Sequence, residues 1–199
     1  VHEGRKNINN ITRSASLFTY KNIFSLLLSI YSIVFAMQYP LEPNQVSLGS
    51  AFTIGIPAFL LTFEENQKKQ QNGNFLRKVF KNSLPAAITS FLVIVAMVRF
   101  SVLFNVGGQE ITTACSYLFF TGGFLILYKI IRPLNKYRSS VMALCILGIL
   151  LTINIMPDFF AIKAISGRAA ALVTLFAIAE FSVIRWITLV LDKFGKSRR

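Results

Sequence analysis

Polar side chains occur on two neighbouring apolar stretches of the sequence, and their oxygen atoms are of the kind that binds hard cations. The first stretch carries Asn22 and Ser25, and the second carries Ser50 and Thr53. Amide, hydroxyl and carbonyl oxygens are the usual neutral ligands of such ions. We therefore take these four residues as a candidate cation-binding set, with Asn22 and Thr53 as its principal metal ligands.

The spacing on the first stretch also fits a simpler role. Asn22, Ser25, Ser29 and Ser32 follow one another at intervals of three or four, so they share one face of a helix. Small polar residues on such a face let helices approach closely and hydrogen-bond in lipid. For the serines both interpretations stay open, whereas the amide of Asn22 favours the cation role.

The second stretch contains a predicted helix break at Gly55 and Pro57. Proline has no amide hydrogen, so the carbonyl of Thr53 loses its usual helical donor, and glycine permits local unwinding. Free carbonyls at a break in a membrane helix are typical cation ligands. The alternative is a plain kink whose freed carbonyl is satisfied by a neighbouring helix.

Two ionisable residues, Lys21 and Glu180, lie well inside apolar stretches. A charge in the membrane interior is costly, so each is a functional candidate. Lys21 either extends to the interface or needs an anionic partner. Glu180 is protonated, paired, or part of a proton or ion route, and a Lys21–Glu180 pair is one arrangement that the sequence leaves undecided.

The elements that must position these residues are predicted to be membrane helices. The chain is 54% hydrophobic and only 15% charged, and its apolar residues fall into long blocks separated by short polar stretches. We therefore predict an all-α, polytopic membrane protein with six transmembrane helices. The predicted spans are Ser14–Met37, Val46–Phe63, Leu84–Phe104, Ile111–Ile131, Ser140–Met156 and Ala169–Leu191.

The basic residues predict the orientation of these spans. They give the chain a formal net charge of +13 and cluster before the first span, in alternate connections and in the tail. That distribution follows the positive-inside rule and argues against nucleic acid as a partner. We expect a multi-pass protein of the plasma membrane, with the lipid bilayer as its surroundings and both termini in the cytoplasm.

The same pattern divides the chain into five segments. The sequence begins at Val1 and opens directly on a charged amphipathic stretch, from which we expect a piece of a longer protein. We predict a helical cytoplasmic lead-in (1–13), a first transmembrane hairpin with the candidate ion site (14–65), a basic cytoplasmic loop (66–83), a four-helix support region (84–192) and a basic tail (193–199).

Other chemistry finds little support in the sequence. Cys115 and Cys145 fall inside apolar blocks without metal-ligand spacing, and His2 is the single histidine, which argues against a zinc site. The sequence contains neither a phosphate-binding glycine loop nor a serine-hydrolase motif. We therefore assign no catalytic residue to it.

Two motifs of the chain resemble a known family. Glu3-Gly4-Arg5, followed by Asn9-Asn10 and an apolar span, and then Thr53-Ile54-Gly55-Ile56-Pro57, resemble the fifth and sixth transmembrane helices of P-type cation-transporting ATPases. Six spans with cytoplasmic termini fit helices five to ten of that family. The variant of the second motif resembles bacterial pumps for calcium or related cations.

The resemblance implies roles for individual residues. Asn22 matches a fifth-helix asparagine ligand of calcium pumps, and Ser25 matches a glutamate ligand. Ser50 and Thr53 match the sixth-helix asparagine and threonine ligands, and Ile54 matches an aspartate. Both acidic ligands are thus replaced, which implies a single ion held with help from a fourth helix outside this chain. Lys21 then resembles the built-in counter-charge of some family members.

The resemblance also implies which partners and cofactors the parent protein uses. ATP and Mg²⁺ would act on phosphorylation, nucleotide and actuator domains that precede Val1, so this chain would hold no cofactor and hydrolyse no ATP by itself. Its partners would be the cation and the remaining helices and cytoplasmic domains of the same pump. Two other classes remain open, namely a free-standing six-helix channel or proton-coupled carrier, and a non-transporting membrane scaffold.

Overall fold

The computed structural model describes residues 2–64, 75–104 and 106–196, and the side chains of residues 10–64, 75–104 and 106–190. The regular structure of the described residues is all helical and consists of seven α-helices and one short π-helical segment. The α-helices are α1 (His2–Val34), α2 (Pro43–Ser50), α3 (Ile56–Thr62), α4 (Phe75–Leu103), α5 (Gly108–Ile131), α6 (Lys136–Ile155) and α7 (Gly167–Lys196). The π segment (Ala51–Gly55) joins α2 to α3.

Six helical rods in the described residues are long and apolar enough to cross a membrane, which confirms the predicted fold class. The second rod is α2, the π segment and α3 taken together. All the rods extend beyond their predicted spans by at least a few residues, two of them by much more. α1 runs without interruption from the predicted lead-in into the first span, and α4 begins at Phe75 rather than Leu84, inside the predicted basic loop. The rest of that loop, residues 65–74, lies outside the described residues.

The core of the bundle lies between α1, α4, α5 and α7. One stripe of α1 is fully buried and packs mainly on α4, which also packs on α5 and α7. The stripe is Leu17, Tyr20, Phe24 and Leu28, whose spacing of three to four residues puts them on one helical face. α6 lies at the edge, against α3, the π segment and α5. Many large apolar side chains on the outer faces remain exposed, as expected of a surface that meets lipid rather than water.

The predicted helix break takes the form of a π turn. The amide of Ile56 donates to the carbonyl of Ala51, five residues earlier, so the helix widens by one residue immediately before Pro57. Proline removes a regular helical hydrogen bond, and π turns occur mostly as such single-turn bulges inside α-helices, frequently at functional sites. The backbone therefore stays helical at Gly55, and the irregularity that the sequence predicts is a bulge rather than an unwound segment.

Glycines allow the second rod to lie close to α5. A Cβ at Gly123 would stand 2.7 Å from Thr53 Oγ1 and 2.8 Å from Thr53 Cβ. A Cβ at Gly49 would stand 2.6 Å from the Phe119 ring. Contact this close is possible only for a residue without a side chain, and small residues of this kind are typical of close helix packing in membranes.

Gly123→Ala is expected to destabilise the bundle. The added methyl would collide with the Cβ of Thr53, which is fixed to its backbone and cannot rotate away, and overpacking of this kind costs about 1–3 kcal/mol. Thermal unfolding of the purified protein in detergent measures the effect.

Gly108→Ala, in the same helix, is the matched control, because nothing lies within 4 Å of its Cβ position. The control is expected to unfold at the wild-type temperature or above. Equal unfolding temperatures for the two variants would contradict the close contact between Gly123 and Thr53.

Candidate functional site

Thr53 lies at the centre of the candidate site and is almost completely buried, with 1% of its surface exposed. Its Oγ1 donates to the carbonyl of Gly49 at 2.7 Å, and the side chain lies against Gly123 of α5. Ser50, half-buried one turn earlier, donates in the same way to Val46 at 2.6 Å. Since each hydroxyl uses its proton within its own helix, each oxygen can act towards other groups only as an acceptor.

Asn22 and Ser25 lie on a different face of α1 from its buried stripe. Asn22 is exposed, about half a turn away from the fully buried Tyr20 and Phe24. Ser25 is half-buried beside Tyr39. Farther along the predicted polar stripe, Ser32 is buried, with 8% of its surface exposed. The stripe therefore turns from the outer surface at Asn22 into the bundle at its far end.

The two halves of the predicted site are neighbours without a direct bond. α1 contacts both the π segment and α3. Thr53, however, faces α5, and in the described part of the chain the amide of Asn22 forms no hydrogen bond with it. Gly55 is exposed and Pro57 is buried. Within this chain, Asn22 and Thr53 thus lie on adjacent helices, and the side chain of Asn22 is exposed.

Glu180 has a different partner from the lysine that the sequence suggested. It is fully buried, and its Oε1 accepts a hydrogen bond from Ser90 at 2.5 Å. The Ser90 hydroxyl also lies 3.1 Å from the hydroxyl of Tyr20. Lys21, next to Tyr20 in the sequence, is half-buried, and the described residues contain no Lys21–Glu180 ion pair. The buried cluster Tyr20–Ser90–Glu180 is called the carboxyl cluster below.

A second charged cluster, which the sequence analysis missed, ties together one end of the bundle. Glu64, just beyond α3, accepts from Arg13 of α1 at 3.0 Å and from Arg138 of α6 at 2.8 Å. The amide of Asn135 donates to the same carboxylate at 2.7 Å. We call these four residues the Glu64 clamp. The available signal was a pair of adjacent acids, Glu64 and Glu65, at the end of one predicted span, with arginines close to the ends of two others.

The clamp also fixes the ionisation of its carboxylate. Burial alone would raise the pKa of Glu64, but the hydrogen bonds from Arg138, Asn135 and Arg13 outweigh burial and hold the pKa below its ordinary value. The side chains of all three charged members are at most 10% exposed. Glu64 therefore stays ionised at neutral pH and joins α1, α3 and α6 at this end.

The end of α3 receives two further hydrogen bonds from the same neighbours. Tyr137 donates to the carbonyl of Leu60 at 2.6 Å, and Asn10 donates to the carbonyl of Thr62 at 3.4 Å. The last carbonyls of a helix lack intrahelical donors, so these contacts satisfy them. The second rod is thus held against α1 and α6 by side chains at this end.

Comparison with known proteins finds similar chains among bacterial transport ATPases. No protein-family model matches the sequence. The chain is 32% identical over 160 residues to a probable cation-transporting ATPase, exp7, of Streptococcus pneumoniae, a match covering 76% of this chain and 20% of the relative. It is 30% identical over 173 residues to the calcium-transporting ATPase CtpE of Mycolicibacterium smegmatis, covering 78% of this chain and 21% of the relative. The CtpE of Mycobacterium tuberculosis is 27% identical over 155 residues, which cover 71% of this chain and 19% of the relative.

The chain therefore spans about a fifth of the length of these relatives. With six membrane-length helices, the match fits the C-terminal membrane region of such a protein.

Glu64→Gln is expected to destabilise the bundle by about 2 kcal/mol, because it leaves two largely buried guanidinium groups without their carboxylate. Asp158→Asn, in the exposed pair with Lys163, is the control and is expected to have little effect. Thermal unfolding in detergent compares the two. An equal loss in both variants would contradict the clamp.

The clamp also predicts how stability depends on pH. Because the pKa of Glu64 is lowered in the folded state, its contribution is complete above the ordinary glutamate value of about 4.3 and is lost as the pH falls through the lowered value. Stability measured against pH is expected to show this acid loss in the wild type and to lack it in Glu64→Gln.

Proposed function

We propose that the chain belongs to the P-type cation-transporting ATPases and that it is the membrane region of an ATP-driven pump for calcium or another divalent cation. ATP and Mg²⁺ act in the remainder of the parent protein, of which this chain spans about a fifth of the length seen in relatives. The role of the chain is to supply ligands for the ion and to transmit conformational change.

The observation that carries the proposal is the π turn that presents Thr53. An irregular turn before Pro57 changes the backbone hydrogen bonding at membrane depth, and Thr53 adds a hydroxyl oxygen at the same place. In such a pump these groups, with Ser50, form one wall of a desolvated cation pocket. Neutral oxygens of this kind suit a hard cation.

α1 forms the second wall through Asn22 and Ser25. A polar amide on an exposed position of a membrane span is costly unless it finds a partner. For Asn22 that partner is the ion, held together with groups from another helix of the same pump. Lys21, beside Asn22, supplies a positive charge that occupies the pocket when the cation has left.

The residues on the outer face of the second rod favour the packing of another helix against it. Ser47, Ala51 and Gly55 are all exposed and follow one another at intervals of four residues. Small residues at this spacing are typical of close helix packing in membranes. We propose that a helix of the parent protein packs on this stripe and closes the pocket over Asn22.

α1 also connects the pocket with the parts of the pump that use ATP. It is a single helix of 33 residues from His2 to Val34, so a displacement at its start moves the segment that carries Asn22. The Glu64 clamp joins α1 to the end of α3. The two walls of the pocket are thereby linked at one end and move together with α6.

Asn22→Ala and Thr53→Ala in the full-length protein are each expected to raise the cation concentration that half-saturates ATPase activity at least tenfold. Loss of one good ligand oxygen weakens ion binding by about 1.4 kcal/mol or more, which is tenfold in affinity. The measurement is ATPase activity against cation concentration, with Ca²⁺, Mn²⁺ and Mg²⁺ tested separately.

Two matched controls separate ligand loss from general damage. The hydroxyl of Thr174 and the amide of Asn154 each donate to the carbonyl four residues earlier on exposed helix faces. Thr174→Ala and Asn154→Ala are expected to keep wild-type cation dependence. Unchanged cation dependence in Asn22→Ala and Thr53→Ala would refute the pocket, and ion flux through the protein without ATP would favour a carrier instead.

A further inference from the structure

Among the spans of the described residues, the carboxyl cluster contains the only acid that lies in the middle of a span. The chain has eight acidic residues, and the other seven lie before, between or at the ends of the helices that cross the membrane. These are Glu3, Glu42, Glu64, Glu65, Glu110, Asp158 and Asp192. Since the proposed cation pocket has no acidic ligand of its own, Glu180 is the nearest source of negative charge within the bundle that the sequence provides.

The environment of Glu180 favours the neutral carboxyl in this conformation. The side chain has no exposed surface, and Oε2 has no hydrogen-bond partner in the described part of the chain. No lysine, arginine or histidine of those residues pairs with it. An ionised carboxylate in such surroundings would be far more costly than a neutral one, so the group holds a proton.

The groups that face Glu180 come from three helices. α1 contributes the hydroxyl of Tyr20, α4 contributes that of Ser90, and α5 contributes Gly122, whose missing side chain leaves room for all three oxygens. The nearest cations along these helices lie elsewhere. Lys21 is half-buried beside Tyr20, Arg99 stacks over Tyr31 and Phe35, and Lys129 and Arg185 line a cavity between α5 and α7.

The cluster is adjacent to the proposed cation pocket through α5. Gly122 touches Glu180, and Gly123 touches Thr53. Because consecutive Cα atoms are about 3.8 Å apart, the carboxyl and the Thr53 oxygen lie within roughly 10 Å of each other. Tyr20 also lies two residues before Asn22 on α1. A charge on the Glu180 carboxyl therefore interacts electrostatically with an ion beside Thr53, since little water intervenes to screen the interaction.

We propose that Glu180 is an exchangeable proton site that is coupled to the cation pocket and gives up its proton when the cation binds. The inference rests on the proposed pump function. When the cation enters, the O–H bond of Glu180 breaks, the electron pair stays on the carboxylate, and the proton passes to water on the side from which the cation came. When the cation leaves, the carboxylate takes a proton from water on the opposite side.

The carboxylate then balances part of the charge of the bound cation, although it does not touch the ion. Thermodynamic linkage is reciprocal. The factor by which a bound proton weakens the affinity for the cation therefore equals the factor by which a bound cation weakens the affinity for the proton. At an effective dielectric constant of about 20, a unit negative charge roughly 10 Å away changes the affinity for a divalent cation by on the order of a hundredfold, and the cost of removing the proton from the buried carboxyl offsets part of this gain. Ser90 and Tyr20 are positioning residues that hold the carboxyl beside Gly122.

The test uses the full-length protein and infrared difference spectra recorded with and without Ca²⁺. In the wild type, Ca²⁺ is expected to remove the C=O band of one protonated carboxyl. Glu180→Gln is expected to abolish that difference, and Glu110→Gln, at the end of α5, is expected to retain it. The same difference band in Glu180→Gln as in the wild type would overturn the proposal.

Ser90→Ala keeps the carboxyl and removes its hydrogen-bond donor. The C=O band is expected to remain and to move to higher frequency, because a hydrogen bond to the carbonyl oxygen weakens that bond. This variant tests the assignment even if Glu180→Gln fails to fold. A band that stays at the same frequency would contradict the contact between Ser90 and Glu180.

Cation affinity against pH gives the second readout. The half-saturating Ca²⁺ concentration of the wild type is expected to rise as the pH falls. In Glu180→Gln the half-saturating Ca²⁺ concentration is expected to be about tenfold higher than in the wild type and to be independent of pH. Equal pH dependence in both would overturn the coupling. If no cation binds to the wild type at all, the pump proposal fails, whereas the carboxyl band of Glu180 without cation still shows whether the buried site holds a proton.

Discussion

The cost of a polar group without a partner in the membrane interior governs this bundle. Backbone groups meet that cost by helix formation, and most side-chain hydroxyls meet it by donating to a carbonyl one turn earlier, as Thr53 does to Gly49. Several groups depart from this solution, among them the buried hydroxyls of Tyr31 and Ser32, the exposed amide of Asn22 and the buried carboxyl of Glu180. We interpret the last two as binding groups, Asn22 for a cation with a neighbouring helix and Glu180 for a proton.

The glycine pair of α5 gives these two places a common wall. Gly122 admits the three oxygens of the carboxyl cluster, and Gly123 admits Thr53 of the second rod. A side chain at either position would separate the helices that carry the polar groups. Adjacent glycines thus explain both how the second rod packs so closely and why a charge at Glu180 acts on the pocket beside Thr53.

The number of membrane-length helices was predictable from the sequence, because the length of each hydrophobic block determines whether it can cross a membrane as a helix. The break near Pro57 was also predictable, although its form as a π turn was not, since proline removes one hydrogen bond without deciding how the backbone replaces it. Helix ends were the weakest part. α4 begins inside the predicted basic loop at Phe75, because charged residues outside the hydrocarbon can continue a helix.

The side-chain partners were much harder to predict. Glu180 binds Ser90, which is ninety residues away in the sequence, and Glu64 binds Arg13 and Arg138 from two other helices. Such pairs depend on how helices rotate about their axes and which of them are neighbours, and single-sequence patterns contain neither. The rotation of α1 also decides that Asn22 faces outward while Tyr20 faces Ser90.

The central claim is that oxygens of α1 and of the π turn bind one cation. The most direct measurement is a structure of the full-length protein with Mn²⁺ bound, in which the anomalous signal of the metal locates the ion. The account predicts a peak at roughly 2–2.6 Å from oxygens of both Asn22 and Thr53, in line with hard-cation coordination. A peak elsewhere in the membrane region, or Asn22 facing lipid with the metal bound, would contradict it.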